Sequence, residues 1–94
     1  MDKQRLAGKN IMITGAAQGM GAANAKYFAA QGANVCIGDL NREGVEKVAA
    51  EINAEGNGKA VAVTMDVTKR EDNAAAVAAT VDAFGSINVA LLTA

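Results

Sequence analysis

The sequence predicts an α/β protein: a doubly wound parallel sheet built as β-α-β-α-β-α-β, with spatial strand order 3-2-1-4. Three observations lead there. Four short apolar runs, rich in β-branched residues, are separated by longer segments that favour helix. Such alternation implies parallel strands with helices on both faces, joined by right-handed crossovers that leave few strand orders open. The first run also breaks into Gly15, Gly19 and Gly21 and passes straight into an alanine-rich helical segment. That order of strand, glycine turn and helix marks the first unit of a doubly wound sheet.

Each element has its own signals. Lys9 to Thr14 reads as the first strand and Met20 to Ala30 as the first helix. Ala23, Tyr27 and Ala30 form that helix's stripe, with Phe28 beside it, and Gly32 stands ready to end it. Asn34 to Asp39 is a short second strand closed by an acid, and Asn41 is a good N-cap for the next helix. Val45, Val48, Ala49 and Ile52 then follow the i, i+3, i+4, i+7 spacing of an amphipathic helix, which Gly56-Asn57-Gly58 stops. Lys59 to Met65 is the third strand. Thr68-Lys69-Arg70-Glu71 has the form of a capping box, and the helix it opens carries Ala74, Val77, Val81 and Phe84 as its apolar stripe up to Gly85. Ile87 to Thr93 is a fourth strand, apolar along most of its length.

Composition narrows the function. Ninety-four residues make a single domain, 1–94, with room for a modest core of Val, Ile, Leu, Met and packed alanine, since only 3% of residues are aromatic. The net charge of -1 is spread along the chain, which argues against a nucleic-acid partner or an anionic membrane surface. No apolar run approaches the length of a membrane span, and the leader Met1 to Leu6 lacks the apolar block of a signal peptide. Cys36 is the only cysteine and there is no histidine, so an internal disulfide is impossible and no zinc or other metal site is expected. A cytoplasmic protein with a buried thiol is the default.

The chemistry-bearing residues collect at the C-terminal ends of the strands. A helix N-terminus behind a glycine turn is suited to a phosphate: Gly15 lets the chain leave the strand, Gly19 lets backbone approach the ligand, and Gly21 lets the helix pack close to the sheet. Glycines that only shape a turn are the plain alternative. Asp39 lies eighteen residues after Gly21. In a 3-2-1-4 sheet it falls beside the first strand, where a carboxylate accepts from both hydroxyls of an adenosine ribose and repels a 2′-phosphate, favouring NAD over NADP. Gln18 and Leu40, where a phosphate-binding cation would otherwise stand, agree with that choice. A solvated strand-end acid or an N-cap is the other reading of Asp39.

The spacing Thr14-Gly15-x-x-x-Gly19-x-Gly21 resembles the Thr-Gly-x-x-x-Gly-x-Gly signature of the short-chain dehydrogenase/reductase family. The resemblance implies a Rossmann-like nucleotide-binding fold and an NAD-dependent oxidoreductase as the parent. It implies that Thr14 holds the turn to the sheet, and that Ala16, Ala17, Gln18 and Met20 offer backbone N–H groups and small surfaces to the cofactor. Asp66-Val67 resembles the family's Asp-Val pair, whose acid faces the adenine amino group and whose apolar residue leans on the ring. Asp66 also suits a turn before Thr68, and Met20 suits core packing. Another phosphate-binding family is a weaker competitor: a P-loop needs Gly-Lys-Ser/Thr after its glycines, which Gly19-Met20-Gly21 is not, and Thr14 stands where a methyl-transfer fold expects an acid.

The chain departs from the family in two places. The usual Asn-Asn-Ala-Gly after the fourth strand reads Leu92-Thr93-Ala94 here, and Asn88 stands where the family often has Asp. The family's catalytic serine and Tyr-x-x-x-Lys pair have no counterpart: the single tyrosine, Tyr27, falls on the first helix, core-facing in this pattern, with no lysine four residues on. The expectation is a truncated Rossmann-like domain, the NAD-binding half of an oxidoreductase, that binds nucleotide without turnover. The alternative is a self-associating minimal scaffold with little cofactor binding. In either case the apolar fourth strand predicts a homo-oligomer, joined through that strand's edge or through the third helix.

Overall fold

The computed structural model describes residues 6–92. Residues 1–5 and 93–94 lie outside them, among them Thr93, the expected last residue of the fourth strand. Seven elements follow one another: β1 (Asn10–Thr14), α1 (Gly19–Ala30), β2 (Asn34–Asp39), α2 (Arg42–Glu55), β3 (Ala60–Thr64), α3 (Arg70–Phe84) and β4 (Val89–Leu92). The four strands form one parallel sheet in the order β3-β2-β1-β4, as the sequence predicts.

Alternation along the strands divides the core into two layers. Ile11, Ile13, Val35 and Ile37 point to one face and meet Ala22, Ala25 and Ala29 of α1 and Val45, Val48, Ala49 and Ile52 of α2. Met12 and Cys36 point to the other and meet Met65 and Ala76. Parallel sheets are covered on both faces for this reason, and β1 is buried at all five positions.

The amphipathic face expected for α2 is the one it buries, and Asn41 caps it by accepting from the Gly44 N–H at 2.9 Å. The other two helices are rotated from expectation. α1 buries Gly21, Ala22, Ala25 and Ala29, leaving Ala23 and Tyr27 exposed, so Tyr27 does not face the core. α3 buries only Ala76 and Thr80; Val77 and Val81 of the expected stripe are 42% and 44% exposed. The expected capping box is absent too. The N-cap is Lys69, with no side-chain bond, because the Thr68 hydroxyl turns back to Asp66 Oδ1 at 2.6 Å. Asp72 rather than Glu71 reaches back, accepting from the Asp66 N–H at 2.8 Å.

At the N-terminal rim of the sheet Asn10 ties three strands together. Its N–H donates to Asn88 Oδ1 at 2.8 Å and its carbonyl accepts from the Asn88 N–H at 2.8 Å. Its Nδ2 donates to Ser86 Oγ at 3.0 Å, and its Oδ1 accepts from Asn34 Nδ2 at 3.0 Å. Asn10→Ala breaks the side-chain bonds and strands their partners, at an expected cost of about 1.5 kcal/mol. Thermal melts are expected to fall by roughly 6–12 °C; a shift under about 3 °C would show the clamp to be dispensable.

Cys36 is fully buried, and burial pushes its thiol above the ordinary value of 9.0 against a weaker opposing bond from Thr80. It therefore stays protonated at neutral and mildly alkaline pH. Alkylation of the folded chain at pH 8 is expected to be negligible and to become fast in denaturant. Equal rates in the two conditions would contradict the burial.

Candidate functional site

The parallel register brings the C-terminal ends of β1, β2 and β3 to one rim. Thr14 lies opposite Gly38, and Asp39 lies opposite Thr64. The chain leaving β1 turns at Gly15, whose φ is +67°, a conformation that side-chain-bearing residues resist. Gly19 has a φ of +64°, and nothing lies within 4 Å of the place where a Cβ would stand. The space over that turn is open. Gly21 is closed on the other side: a Cβ there would meet the Gly15 carbonyl oxygen at 2.1 Å. The three glycines thus act separately, two through backbone conformation and one through close packing of α1 against the loop.

Between them, Ala16 is buried and its N–H donates to the Gly38 carbonyl at 3.2 Å. Gln18 is the extended N-cap of α1, without a side-chain cap bond, and it is exposed. The first turn of α1 itself carries no acidic residue. Met20 is 76% exposed, so it is not packed beneath the helix. Thr14 is fully buried where β1 ends.

Asp39 joins the loop to the second strand. Its Oδ2 accepts from the Ala17 N–H at 3.1 Å and its Oδ1 from the Asn41 N–H at 3.0 Å. Each carboxylate oxygen has a further lone pair available to a ligand hydroxyl. Leu40 follows with 68% exposure. Arg42 pairs with Glu46 on the surface at 3.2 Å, which draws its charge along α2.

One strand further along the rim, Asp66 and Val67 follow β3. Val67 is 40% exposed. Asp66 Oδ1 accepts from both the hydroxyl and the N–H of Thr68, which hold its carboxyl below the ordinary 3.8. The turn role foreseen for Asp66 is therefore present, and no hydrogen bond among the described residues engages Oδ2. The folded-state value is the lowered one, so the contribution of this turn is complete above the unfolded pKa and fades as pH falls through the folded one. An NMR titration of the Asp66 carboxyl is expected to give a midpoint below 3.8, raised by Thr68→Ala. A midpoint at or above that value would count against the bond.

A cleft of about 430 Å³ beside the loop has a different character. It runs between α1 and α2, past Ala17, Gln18 and Gly19 to Lys26, Lys47 and Glu51, and excludes Asp39 and Asp66. The Lys26–Glu51 ion pair at 2.8 Å spans it. It is the groove between two packed helices rather than the rim where the polar groups converge. The open rim, by contrast, combines outward amide donors, a carboxylate at the end of β2 and exposed apolar residues at 20, 40 and 67. That set fits the phosphates, the ribose and the base of a dinucleotide.

The family model described as short chain dehydrogenase matches residues 9–94. The chain belongs to the short-chain dehydrogenase family. Members of this family typically bind nicotinamide dinucleotide cofactors. The chain is 53% identical over 83 residues to a 2,5-dichloro-2,5-cyclohexadiene-1,4-diol dehydrogenase of Sphingobium indicum, covering 88% of this chain and 33% of that one. It is 48% identical over 90 residues to a trans-4-hydroxycyclohexanecarboxylate dehydrogenase of Sinomonas cyclohexanicum, covering 90% and 35%. The crystal structure of a hydroxysteroid dehydrogenase from Escherichia coli superposes with a TM-score of 0.90 at 33% identity, over 97% of this chain and 38% of that one. The chain thus spans about a third of the length of the short-chain dehydrogenases it matches.

Tyr27, the one tyrosine, is on the far side of this domain's chemistry. It sits on α1, 60% exposed, with its ring edge-on to Phe28 at 5.7 Å. Sequence reasoning passed over Gly44, and it expected the Ala16 and Ala17 N–H groups to serve a cofactor, whereas they donate to the Gly38 carbonyl and to Asp39. The signal for Gly44 was a glycine in the opening turn of a helix, where a better helix former is expected.

Proposed function

We propose that this chain binds NAD in preference to NADP, and that these 94 residues carry out no turnover by themselves. The observation that carries the reading is the Asp39 carboxylate, 3.1 Å from the Ala17 N–H of the glycine loop. A dinucleotide whose diphosphate lies over Gly19 and the amides of residues 18–20 would set its adenosine ribose against Asp39. Asp39 would accept from the ribose hydroxyls and repel a 2′-phosphate. Asp66 and Val67 would meet the adenine, and Leu40 and Met20 would close over the apolar surfaces. Thr14, Gly15 and Gly21 shape the loop rather than touch the ligand.

The bound dinucleotide supplies a hydride acceptor. Efficient transfer also needs a general acid or base at the alcohol oxygen, and no residue of this rim has that role. In any longer protein that carries these residues, the named relatives favour a cyclic alcohol as the substrate class. With a single buried thiol and no disulfide, a cytoplasmic setting suits the chain. The test is calorimetric titration with NAD and NADP, together with an assay for NAD reduction by a panel of alcohols. Saturable NAD binding, weaker NADP binding and no reduction are expected. Heat-free, shift-free titration with saturating NAD would end this reading.

Exposed valines favour a second reading beside it. Val77 and Val81 on α3 and Val89 on β4 are each more than 40% exposed, and β4 pairs on one side only among the described residues. An open apolar strand edge invites another strand. We expect a homo-oligomer joined through β4 or α3. Light scattering that gives a monomer at high concentration would remove it.

A further inference from the structure

Gly44 stands in the first turn of α2, three residues after the Asn41 cap. Glycine weakens a helix relative to alanine, and Gly44 is not among the glycines with positive φ, so backbone conformation does not require it. Space does. A Cβ at this position would lie 2.8 Å from the Ala17 Cβ, 2.9 Å from Asn41 Nδ2 and 3.0 Å from Asn41 Cγ. The Asn41 amide is the end of a side chain and can turn aside. The Ala17 Cβ is fixed to the glycine loop and moves only if the loop backbone moves.

These residues close a ring. The Ala17 N–H donates to Asp39 Oδ2, the Asn41 N–H donates to Asp39 Oδ1, and the Gly44 N–H donates to Asn41 Oδ1. Contact between Gly44 and Ala17 completes it. We propose that Gly44 is a positioning residue for the nucleotide: its missing side chain lets α2 seat against Ala17 and so fixes the glycine loop where its amides meet a diphosphate. This rests on the nucleotide reading above and adds to it a residue that touches no ligand. Relieving a 2.8 Å contact takes a loop displacement of several tenths of an ångström. That stretches the 3.1 Å bond from Ala17 to Asp39 and turns donors that must be held within about 0.5 Å of their target.

The test compares four chains: unaltered, G44A, A17G and the double variant. Each is titrated with NAD and with ADP, and each is melted without nucleotide. G44A is expected to bind both ligands about tenfold more weakly at temperatures where it is fully folded. In the A17G background the same change is expected to have little effect on binding, and the melts are expected to show the same coupling. Should G44A not fold, recovery of folding and of NAD binding in the double variant supports the proposal. Affinity of G44A within about twofold of the unaltered chain, or a loss that A17G does not relieve, overturns it. Failure of the unaltered chain to bind NAD overturns the nucleotide reading and this role together. Melts in which positions 17 and 44 act independently overturn this role alone.

Discussion

Gly21→Ala is expected to lower the stability of the folded chain by about 3 kcal/mol, although alanine is ordinarily the better helix residue by about 1 kcal/mol. The sign is decided by what the new methyl would meet. Its carbon would lie 2.1 Å from the Gly15 carbonyl oxygen, 2.8 Å from the carbonyl carbon and 3.1 Å from the Ala16 Cα. All three are backbone atoms, so no rotamer change relieves the overlap. Either α1 lifts off the loop, opening the layer of Ala22, Ala25 and Ala29, or the loop shifts and disturbs the Ala16 N–H bond to Gly38. In a domain whose whole stability is on the order of 5–14 kcal/mol, melting should fall by roughly 12–24 °C. Gly19→Ala is the internal control. It meets no atom and suffers only the strain of a positive φ, about 1–2 kcal/mol. Circular dichroism melts of the two variants separate crowding from conformation. Equal losses, or a Gly21→Ala shift under about 4 °C, would show that the loop yields more readily than its packing implies.

The strands, the topology and α2 were legible because their residues differ in size and shape. Val45, Val48 and Ile52 are bulky and set among charges, so their spacing names the buried face. In α1 and α3 alanine occurs all round the helix, and a pattern of apolar against polar cannot choose a face when small apolar residues occupy every side. Tertiary packing chose instead. On α1 the close approach at Gly21 turned Ala22, Ala25 and Ala29 inward and left Tyr27 outside. On α3 the shallow space over Met12 and Cys36 accepts Ala76 and Thr80, whose hydroxyl is satisfied by the Ala76 carbonyl at 2.8 Å. The bulkier Val77 and Val81 remain outside.

At the candidate site, residue identity and spacing foretold position but not partners. Glycine spacing foretold the turn between β1 and α1, and a strand-end acid came to lie against it. The sequence gives no sign that Asp39 holds two backbone N–H groups in addition to facing the rim, because those donors belong to residues 17 and 41, whose side chains are irrelevant to the bond. Thr68 shows the converse. Its spacing from Glu71 imitates a capping box, yet the acid two residues before it was the nearer acceptor for its hydroxyl. Local patterns compete, and the shorter loop won.

Asp39→Ala is expected to weaken NAD binding by about 10–100-fold, the equivalent of removing one hydrogen bond to a charged acceptor. NADP should lose much less, since the same carboxylate that accepts from a ribose 2′-hydroxyl opposes a 2′-phosphate. The ratio of the two affinities is therefore the informative quantity: it should collapse toward one. Asp39→Asn refines the argument. An amide presents one acceptor oxygen and one donor nitrogen, whereas Asp39 faces N–H groups on both sides, from Ala17 and Asn41. The asparagine can satisfy only one of them and turns its N–H₂ against the other. It should therefore fall close to the alanine variant in NAD affinity despite its near-identical shape, while removing the charge that disfavours NADP. A purely structural strand-end acid predicts a different outcome, in which both variants lose thermal stability and the NAD to NADP ratio stays where it was. Calorimetry on the three chains with both nucleotides distinguishes the two, because stability lost equally for both ligands cancels in the ratio and a ribose contact does not.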